Sequence, residues 1–405
     1  MSTNRKKAFK TKDYLKHEEG TIYKRGRGNP AIALLYPNTY FLGMSNLGFQ
    51  SLYALFNQDP RTICERAFLP DDFIYQGKSK EDLRTLEHSQ LVRDFDCVAF
   101  SISFENDYLY VLNMLGQAGL PFHAKDRDDH DPIVIAGGAA LTINPEPIRP
   151  FLDIIFVGEA EDAAIEIIEA LRDYDTRDEK IAALGKIEGC YIAQDIDFSN
   201  IPATTTSICP ASTKPNVLEP RMPLAHLRHY KRRVPDDING FPIESIIHTP
   251  YSEFGKLSLI EVQRGCGRGC KFCAEGFIYT PFRERSYDLV KEQVLRGLKH
   301  RDKIGLIGAD LLVYPQIVDL MNFIHEQGGT FSPSSVRVDA LTDEIIDLLA
   351  KSGHKTLAIA PEAGSEELRR KTNKKFDNAS ILKVIEKLIL AGISNIKMYL
   401  MIGLP

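Results

Sequence analysis

Short apolar and β-branched runs alternate with amphipathic segments in two series along the chain, separated by a segment of a different kind. Such alternation indicates an α/β protein whose strands are joined by helices. In the first series, strands are predicted at residues 31–36, 64–69, 97–104, 133–136 and 154–157. Helices are predicted at residues 44–57, 81–93, 107–118 and 161–172. Together these elements predict a doubly wound parallel sheet, whose ligand site lies at the carboxyl ends of the strands.

The second series predicts most of a β/α barrel. Its strands are predicted at residues 257–263, 304–307, 335–338, 356–360 and 395–401. Its helices are predicted at residues 287–300, 314–327 and 342–352. Ser286 is a suitable cap for the first of these helices, and Gly353 is a suitable stop for the last. In such a barrel the carboxyl ends of the strands form the catalytic face.

The segment between the two series is rich in proline. Eight of the chain's 22 prolines lie between Pro202 and Pro250, which disfavours regular helices and favours an extended strap over a domain. The first 28 residues hold nine Lys or Arg against three acidic residues. Four regions are therefore predicted: a basic arm at 1–30, an α/β domain at 31–175, a connector at 176–256 and the barrel at 257–405.

Composition limits the partners of the chain. A net charge of -5 does not favour a nucleic-acid-binding surface, so we do not expect nucleic acid to be a partner. We interpret the basic run at 228–233 as solvated surface, although a tyrosine among basic residues is weak evidence for RNA contact. No apolar run approaches the ~18 residues that a membrane span needs. We therefore expect a cytoplasmic protein with no membrane contact.

Three of the seven cysteines, Cys266, Cys270 and Cys273, fall within eight positions and suggest a bound metal. The interspersed glycines give this short loop the freedom to wrap a small inorganic cluster. Closed zinc sites and electron-transfer clusters take four protein ligands, so three ligands leave one metal corner open to a substrate or cofactor. An open coordination position on the metal indicates catalysis rather than a purely structural role.

Two other interpretations of the cysteines stay open. A structural zinc would need a fourth ligand, and His248, Cys209 and Cys190 are distant and lack paired spacing. Disulfides are disfavoured, because the number of cysteines is odd and no secretory signal is visible.

The spacing of Cys266, Cys270 and Cys273, with the aromatic Phe272 before the last cysteine, resembles the cluster loop of the radical S-adenosylmethionine (radical SAM) superfamily. The resemblance implies that the three thiolates hold a 4Fe-4S cluster and that its open iron chelates S-adenosylmethionine (SAM). It further implies that Phe272 lies near the cofactor. Reductive cleavage of the sulfonium would give a 5'-deoxyadenosyl radical, in a site that excludes water. An electron donor such as a flavodoxin or ferredoxin is also implied.

The ends of the second and third barrel strands resemble parts of that family's cofactor site. Ala309 and Asp310 stand where the family has a Gly-Gly-Glu segment at the methionine end of SAM, although that segment is not reproduced here. Ser335 and Arg337 stand where polar side chains meet the ribose or the carboxylate. Arg337 could bind two carboxylate oxygens at once, or could be a structural ion-pair partner.

The ends of the fourth and fifth strands extend the resemblance. Glu362, within the Ala-Pro-Glu-Ala-Gly-Ser segment at 360–365, is the best single candidate for a cofactor contact outside the cysteine loop. Its alternative role is electrostatic, at the start of a helix capped by Ser365. Gly403 lies in a segment that resembles the part of the family packed against adenine. The family continues through a sixth strand, so we expect a fragment with an incomplete barrel, truncated after its fifth strand.

Loops after the strands of the first series resemble those of a cobalamin-binding-type domain, which has the flavodoxin-like form of the doubly wound sheet. These loops are residues 37–48, 103–106, 137–138 and 158–161. The histidine motif that supplies a lower axial ligand in many cobalamin proteins is absent, because the segment around His130 lacks its spacing and glycine. Cobalamin is therefore a possible cofactor without a protein histidine on cobalt. The loops could equally be tight turns and helix starts.

The functional prediction is a radical SAM enzyme that cleaves SAM at a 4Fe-4S cluster to start radical chemistry, with cobalamin-dependent methyl transfer as one possible outcome. One alternative is a methylthiotransferase that modifies RNA or a ribosomal protein. That alternative would need a second three-cysteine group, and Cys64, Cys97, Cys190 and Cys209 are scattered. Another alternative is a metal-stabilised binding module without turnover. The strand-end loops carry no signature of the substrate.

Overall fold

The structure is a computed structural model that describes residues 11–71, 82–194, 230–334 and 336–404. Several sequence predictions concern residues outside these ranges. They are the first part of the basic arm (1–10), the middle of the connector with Cys209 (195–229), and Ser335.

A six-stranded sheet forms the first part of the chain. Its strands are β1 (Ala31–Thr39), β2 (Ile63–Leu69), β3 (Cys97–Ser101), β4 (Ile133–Gly137), β5 (Ile154–Phe156) and β6 (Cys190–Ile192). Their order is β2-β1-β3-β4-β5-β6, and every neighbouring pair is parallel except β5 and β6. The predicted doubly wound sheet is confirmed. The sequence did not predict β6, because three residues are too few for a periodic pattern to show.

Strand β1 is buried on both faces. Ile32 and Leu34 belong to the core on one side of the sheet, and Ala33 and Leu35 belong to the core on the other side. Burial on both faces explains why this strand is a continuous apolar run rather than an alternating pattern. The helices of this part are α1 (Thr11–Leu15), α2 (Tyr40–Gly43), α3 (Leu47–Phe56), α4 (Tyr108–Ala118), α5 (Ala139–Ile143), α6 (Ala164–Arg172) and α7 (Arg177–Leu184).

The helix predicted at residues 81–93 is wrong for the described part of that segment. Residues 82–91 run irregularly against β2, and only Val92–Asp94 forms a 3-10 turn. The Glu87 carboxylate accepts hydrogen bonds from the backbone N (2.8 Å) and Nε (2.7 Å) of Arg66 in β2. Arg66 is fully buried, and a buried guanidinium is costly without such partners. Long-range pairing of charges therefore overrides the local helical pattern.

The second part of the chain is a partial β/α barrel. Its strands are β7 (Ser258–Glu261), β8 (Gln263–Arg264), β9 (Arg283–Glu284), β10 (Lys303–Ile307), β11 (Thr330–Pro333), β12 (Thr356–Glu362) and β13 (Asn395–Leu400). Its helices are α8 (Glu275–Ile278), α9 (Tyr287–Gly297), α10 (Ile317–Glu326), α11 (Asp343–Lys351), α12 (Glu366–Lys371) and α13 (Asn378–Leu390). Parallel pairing gives β7-β10-β11 and β12-β13, and a parallel bridge between Val336 and Ile359 connects these two groups. The short pair β8-β9 is antiparallel.

The third barrel strand lies earlier in the chain than predicted. The prediction placed it at 335–338, whereas the structure has β11 at Thr330–Pro333 and a 3-10 turn at Val338–Ala340. The Arg337 guanidinium donates two hydrogen bonds to the Asp339 carboxylate, at 2.9 and 2.8 Å. Arg337 and Asp339 thus pair across a turn, so the alternating Val-Arg-Val pattern at 336–338 does not form the predicted strand.

The connector joins the two parts through its described end, residues 230–256. Gln50 Oε1 of α3 accepts hydrogen bonds from the backbone N of Ile246 (3.0 Å) and Ile247 (2.9 Å). Glu244 forms an antiparallel bridge with Ile260 in β7. The strap therefore hydrogen-bonds to a helix of the first sheet and to the first strand of the barrel.

Within the described ranges, no helix has the length and apolar character needed to cross a membrane. The cytoplasmic location expected from the sequence stays a prediction.

Candidate functional site

The cysteine loop runs from the end of β8 into α8. Cys266, Cys270 and Cys273 are free thiols and each is partly exposed. Gly265 opens the loop with a φ of 77°, and a Cβ there would lie 2.2 Å from the Tyr279 carbonyl oxygen. Only glycine fits such a close approach, so this residue fixes how the loop leaves the strand.

The backbone of the cysteine loop is held from the segment after α12. Asn373 Nδ2 donates to the carbonyl oxygens of Arg268 (2.7 Å) and Gly269 (3.0 Å). The Lys271 N–H donates to the Thr372 carbonyl oxygen at 3.2 Å. Asn373 itself has a φ of 67°, an uncommon conformation that asparagine tolerates better than most residues. Sequence reasoning missed this anchor, because nothing local marks Asn373 as a partner of a loop about a hundred residues earlier.

Two guanidinium groups lie at the loop. Arg268, within the loop, pairs with Asp310 at the end of β10. Arg337 Nη1 lies 4.0 Å from Cys270 Sγ while the same guanidinium is paired with Asp339. Positive charge therefore lies beside one of the sulfur atoms that the sequence predicts as an iron ligand. Burial raises the pKa of the Cys266 thiol.

The donor set of the loop fits an iron–sulfur cluster chemically. Three free thiols lie on one short loop, and thiolates are the usual protein ligands of such clusters. The carbonyl oxygens of Arg268 and Gly269 in the same loop already accept hydrogen bonds from Asn373. In the described part of the chain, no group of three or more His, Cys, Asp or Glu side chains is arranged to hold a metal ion. The assignment of Cys266, Cys270 and Cys273 as cluster ligands therefore stays a prediction.

The structure brings several of the predicted cofactor residues around this loop. Phe272 is 36% exposed, and Lys374 Nζ lies 6.0 Å from the centre of its ring. Asp310 is buried against the loop through Arg268, so its carboxylate is already committed to an ion pair. Ala309 lines a cavity next to the loop. Ser335 lies outside the described residues.

Glu362 adopts a left-handed backbone conformation, with a φ of 67°, where β12 loses its regular register with β13. Strain of this kind costs about 1–3 kcal/mol and concentrates at functional sites. Its Oε1 lies 3.4 Å from Lys374 Nζ. Ser365 caps α12 and accepts a hydrogen bond from the Leu368 N–H. This cap is the one expected in the alternative role of Glu362, at the start of a helix. Gly403, with a φ of 87°, has open space around its Cα.

A cavity of about 500 Å³ lies where the carboxyl ends of the first sheet meet the barrel. On the side of the first sheet, it is lined by residues of all four loops that the sequence singled out, including Asn46, Ser103, Gly138 and Glu161. Gly138 has a φ of 117°, and a Cβ there would lie 2.4 Å from the Ile102 carbonyl oxygen, so only glycine fits this close packing of two loops. On the barrel side it is lined by residues that include Gln263, Glu275, Tyr279 and the turn 307–309. No described residue lining the cavity is a histidine.

A buried ion network joins the two sides of this cavity. Arg264, the residue before Gly265, lies 2.6 Å from Glu159 Oε2, 2.7 Å from Glu161 Oε1 and 2.9 Å from Glu261 Oε2. Arg283 of β9 adds a contact of 2.5 Å with Glu159. A helix start was the alternative role of the loop at 158–161, whereas both of its glutamates, Glu159 and Glu161, pair with Arg264. The sequence does not indicate this network, because Glu159 and Arg264 lie about a hundred residues apart.

The other described cysteines lie away from the loop. Cys64, Cys97 and Cys190 are buried in β2, β3 and β6, and burial raises the pKa of Cys190 to about 12. A thiol with so high a pKa is a poor metal ligand. The fourth residue considered for a second cysteine group, Cys209, lies outside the described residues.

Two family models match the chain. One, described as "Radical SAM proteins, N-terminal", covers residues 48–193, and the other, "Radical SAM superfamily", covers residues 260–405. Together they cover β2 to β6 of the first sheet and most of the barrel, including the cysteine loop.

The chain matches only part of each of two curated relatives. An uncharacterized protein of Methanocaldococcus jannaschii is 30% identical over 327 residues, which is 79% of this chain and 61% of the relative. A probable dual-specificity RNA methyltransferase, RlmN, of Listeria welshimeri is 25% identical over 208 residues, 47% of this chain and 55% of the relative. The chain thus spans about three fifths of the length of these proteins.

Two solved structures share the fold. The radical SAM methyltransferase TsrM from Kitasatospora setae, with cobalamin and a [4Fe-4S] cluster bound, matches with a TM-score of 0.58 at 15% identity, over 93% of this chain and 70% of that one. The cobalamin-dependent radical SAM enzyme OxsB matches with a TM-score of 0.55 at 14% identity, over 92% and 48%. At these identities the likeness concerns the fold alone.

Proposed function

Because this chain belongs to the radical SAM superfamily, we propose that it cleaves SAM reductively at a 4Fe-4S cluster held by Cys266, Cys270 and Cys273. The observation that carries the proposal is the position of the cysteine loop. The loop leaves the first barrel strands at their carboxyl ends, beside a cavity that the strand ends of the first sheet also line. When bound, the cluster supplies the electron that breaks a carbon–sulfur bond of SAM.

The residues around the loop have distinct tasks in this proposal. Arg337 places positive charge 4.0 Å from Cys270 Sγ, and Asn373 holds the backbone of the loop that carries the three thiols. Asp310 and Glu362 are bonded to Arg268 and Lys374. We propose that both carboxylates orient these cations at the SAM site, where direct contact with SAM would require that a pair open.

We further propose that cobalamin binds in the cavity between the sheet and the barrel and supplies a methyl group for transfer. Apolar side chains such as Leu34, Leu52 and Phe156 line the sheet side of the cavity, and Asn46 and Ser103, which hydrogen-bond to each other at 2.9 Å, offer polar groups there. Cobalt would receive no histidine from the described lining residues, as the sequence suggested. The fold shared with the cobalamin-bound TsrM structure supports this assignment.

The test of SAM cleavage uses the full chain after anaerobic reconstitution with iron and sulfide. Addition of dithionite and SAM should give 5'-deoxyadenosine. The Cys270→Ala variant should lose both the cluster and the product, whereas Cys190→Ala, which removes a buried thiol in β6, should keep both. A zinc-loaded protein without sulfide or cleavage would support the binding-module alternative instead.

A flavodoxin or ferredoxin is the proposed physiological electron donor, and replacing dithionite with either protein tests this assignment. The RlmN relatives are named as RNA methyltransferases, whereas composition does not favour nucleic acid for this chain. The absence of a nucleic-acid partner stays a prediction. A filter-binding measurement with labelled RNA, at low and physiological salt, would decide it.

A further inference from the structure

Gln263 is a buried amide without a partner. It lies in β8, three residues before Cys266, and only 2% of its surface is exposed. Neither Oε1 nor Nε2 has a hydrogen-bond partner. A buried amide that lacks both of its hydrogen bonds is unfavourable, and buried polar groups in folded proteins are nearly always satisfied. Something other than the described residues is therefore expected to satisfy it.

Gln263 is one of the residues that line the cavity between the sheet and the barrel. Gly308, across from it, makes room for the side chain, because a Cβ at Gly308 would lie 2.6 Å from Gln263 Cγ and 3.3 Å from Nε2. The fold therefore holds an unpaired donor and an unpaired acceptor next to each other, at the wall of a space large enough for a ligand.

The charges around the cavity limit what can occupy it. Glu159, Glu161, Glu261 and Glu275 line it, and Arg264 is the one cation among the described lining residues. Arg264 is already paired with three of these carboxylates. No lining cation is left in the described part of the chain for a phosphate or a carboxylate, so an anionic group is disfavoured beside Gln263.

From these observations we infer that Gln263 binds a carboxamide-type group, either a primary amide or a lactam. Oε1 accepts a hydrogen bond from the N–H of the ligand, and Nε2 donates to its carbonyl oxygen. A bidentate match of this kind uses both unpaired atoms at once and distinguishes an amide from a ketone or a carboxylate. This inference rests on the proposed function, because the cavity is the one assigned to the reaction. The carboxamide could belong to the substrate or to the rim of a bound corrin, which carries such groups.

The test uses three probes of similar size: benzamide, acetophenone and benzoate. Saturation-transfer NMR on the reconstituted full chain should show benzamide binding about tenfold tighter than acetophenone, since one bidentate pair contributes this much discrimination. Benzoate should bind more weakly still. Gln263→Leu should remove the preference for benzamide, and Gly308→Ala, which displaces the side chain, should weaken it.

Gln293→Leu is the matched control. Gln293 is also fully buried, but its Nε2 donates to the Ile243 carbonyl oxygen at 3.1 Å and it does not line the cavity. Its replacement should leave the preference intact, provided that circular dichroism shows all variants folded. Equal binding of benzamide and acetophenone by the unaltered protein would overturn the inference. Survival of the preference in Gln263→Leu, or its loss in Gln293→Leu, would also overturn it.

A second arm identifies the source of the amide. If the substrate supplies it, benzamide keeps its preference in protein saturated with hydroxocobalamin. If the corrin supplies it, hydroxocobalamin displaces benzamide, and Gln263→Leu binds hydroxocobalamin about tenfold more weakly. Displacement of benzamide with unchanged hydroxocobalamin binding by Gln263→Leu would overturn the inference. Because none of these readouts depends on SAM cleavage, failure here is distinguishable from failure of the proposed function.

Discussion

Replacement of Asn373 is expected to destabilise the cysteine loop, and the size of the effect follows from the two hydrogen bonds that its side chain donates. The side-chain amide donates to the carbonyl oxygens of Arg268 and Gly269, at 2.7 and 3.0 Å. A typical hydrogen bond contributes about 0.5–1.5 kcal/mol net, so the pair contributes about 1–3 kcal/mol. Both carbonyls lie on a partly exposed loop and can be hydrated when the amide is removed. We therefore expect Asn373→Gly to lower the free energy of unfolding by about 1–2 kcal/mol.

Asn373→Ala is expected to cost more than Asn373→Gly. The residue has a φ of 67°, which glycine adopts freely and alanine does not. The left-handed conformation adds about 1 kcal/mol for alanine, so the two variants separate the hydrogen bonds from the backbone strain. Ser89→Gly is the control, because Ser89 also has a positive φ, 59°, but lies outside the site. That variant should be as stable as the unaltered protein or more so.

The assay combines urea denaturation with iron and sulfide analysis after reconstitution. Both Asn373 variants should bind less iron per chain than the unaltered protein, with Asn373→Ala binding the least, whereas Ser89→Gly should bind a full complement. Two results would refute the reasoning. Equal stability of Asn373→Gly and Asn373→Ala would show that the backbone conformation carries no strain, and unchanged iron content in both would show that the anchor does not order the loop.

Two further predictions concern buried charges. Arg264→Leu should cost about 3 kcal/mol in urea denaturation, because the Glu161 carboxylate loses this partner while Glu159 and Glu261 keep only Arg283 and Arg285. Arg296→Leu, in a partly exposed pair with Glu244, should cost no more than about 1 kcal/mol. Equal losses would contradict this role of Arg264. Burial, aided by the charge of His300, lowers the pKa of His248 from 6.5 to about 4, so between these values the unfolded chain binds a proton that the folded chain rejects. The free energy of unfolding should therefore fall by up to about 2–3 kcal/mol as the pH drops from 6.5 to 4. His248→Asn should remove this part of the pH dependence. If the unfolding free energy of that variant fell with pH as steeply as in the unaltered protein, His248 would not be its source.

The fold class could be predicted because it depends on patterns of neighbouring residues in the sequence. Buried parallel strands are continuous apolar runs, as at 32–35, and amphipathic helices follow them at regular intervals. The cysteine loop could be singled out for the same reason, since its three thiols and its glycines lie within nine residues. Local patterns failed where distant charges decide the structure. Glu87 satisfies the buried Arg66 of β2, so its segment lies against that strand instead of forming a helix.

The anchoring of the site could not be predicted from the sequence. Asn373 contacts the loop from about a hundred residues away, and its role depends on one left-handed backbone conformation that asparagine permits but does not require. Glu159 and Arg264 are similarly remote from each other. Each residue by itself has an ordinary surface character, and only the folded chain shows which charges are buried together.

The Arg264 network connects the barrel to the first sheet beside the cysteine loop. Arg264 is separated from Cys266 by one residue, and its partner Glu159 belongs to the loop at the carboxyl end of β5. Glu159 and Arg264 both line the cavity, so the network forms part of its wall. Buried ion pairs tolerate little displacement without loss of their hydrogen bonds. The network therefore holds the cysteine loop against the first sheet, so a group bound at the sheet would keep a constant position relative to the proposed cluster ligands.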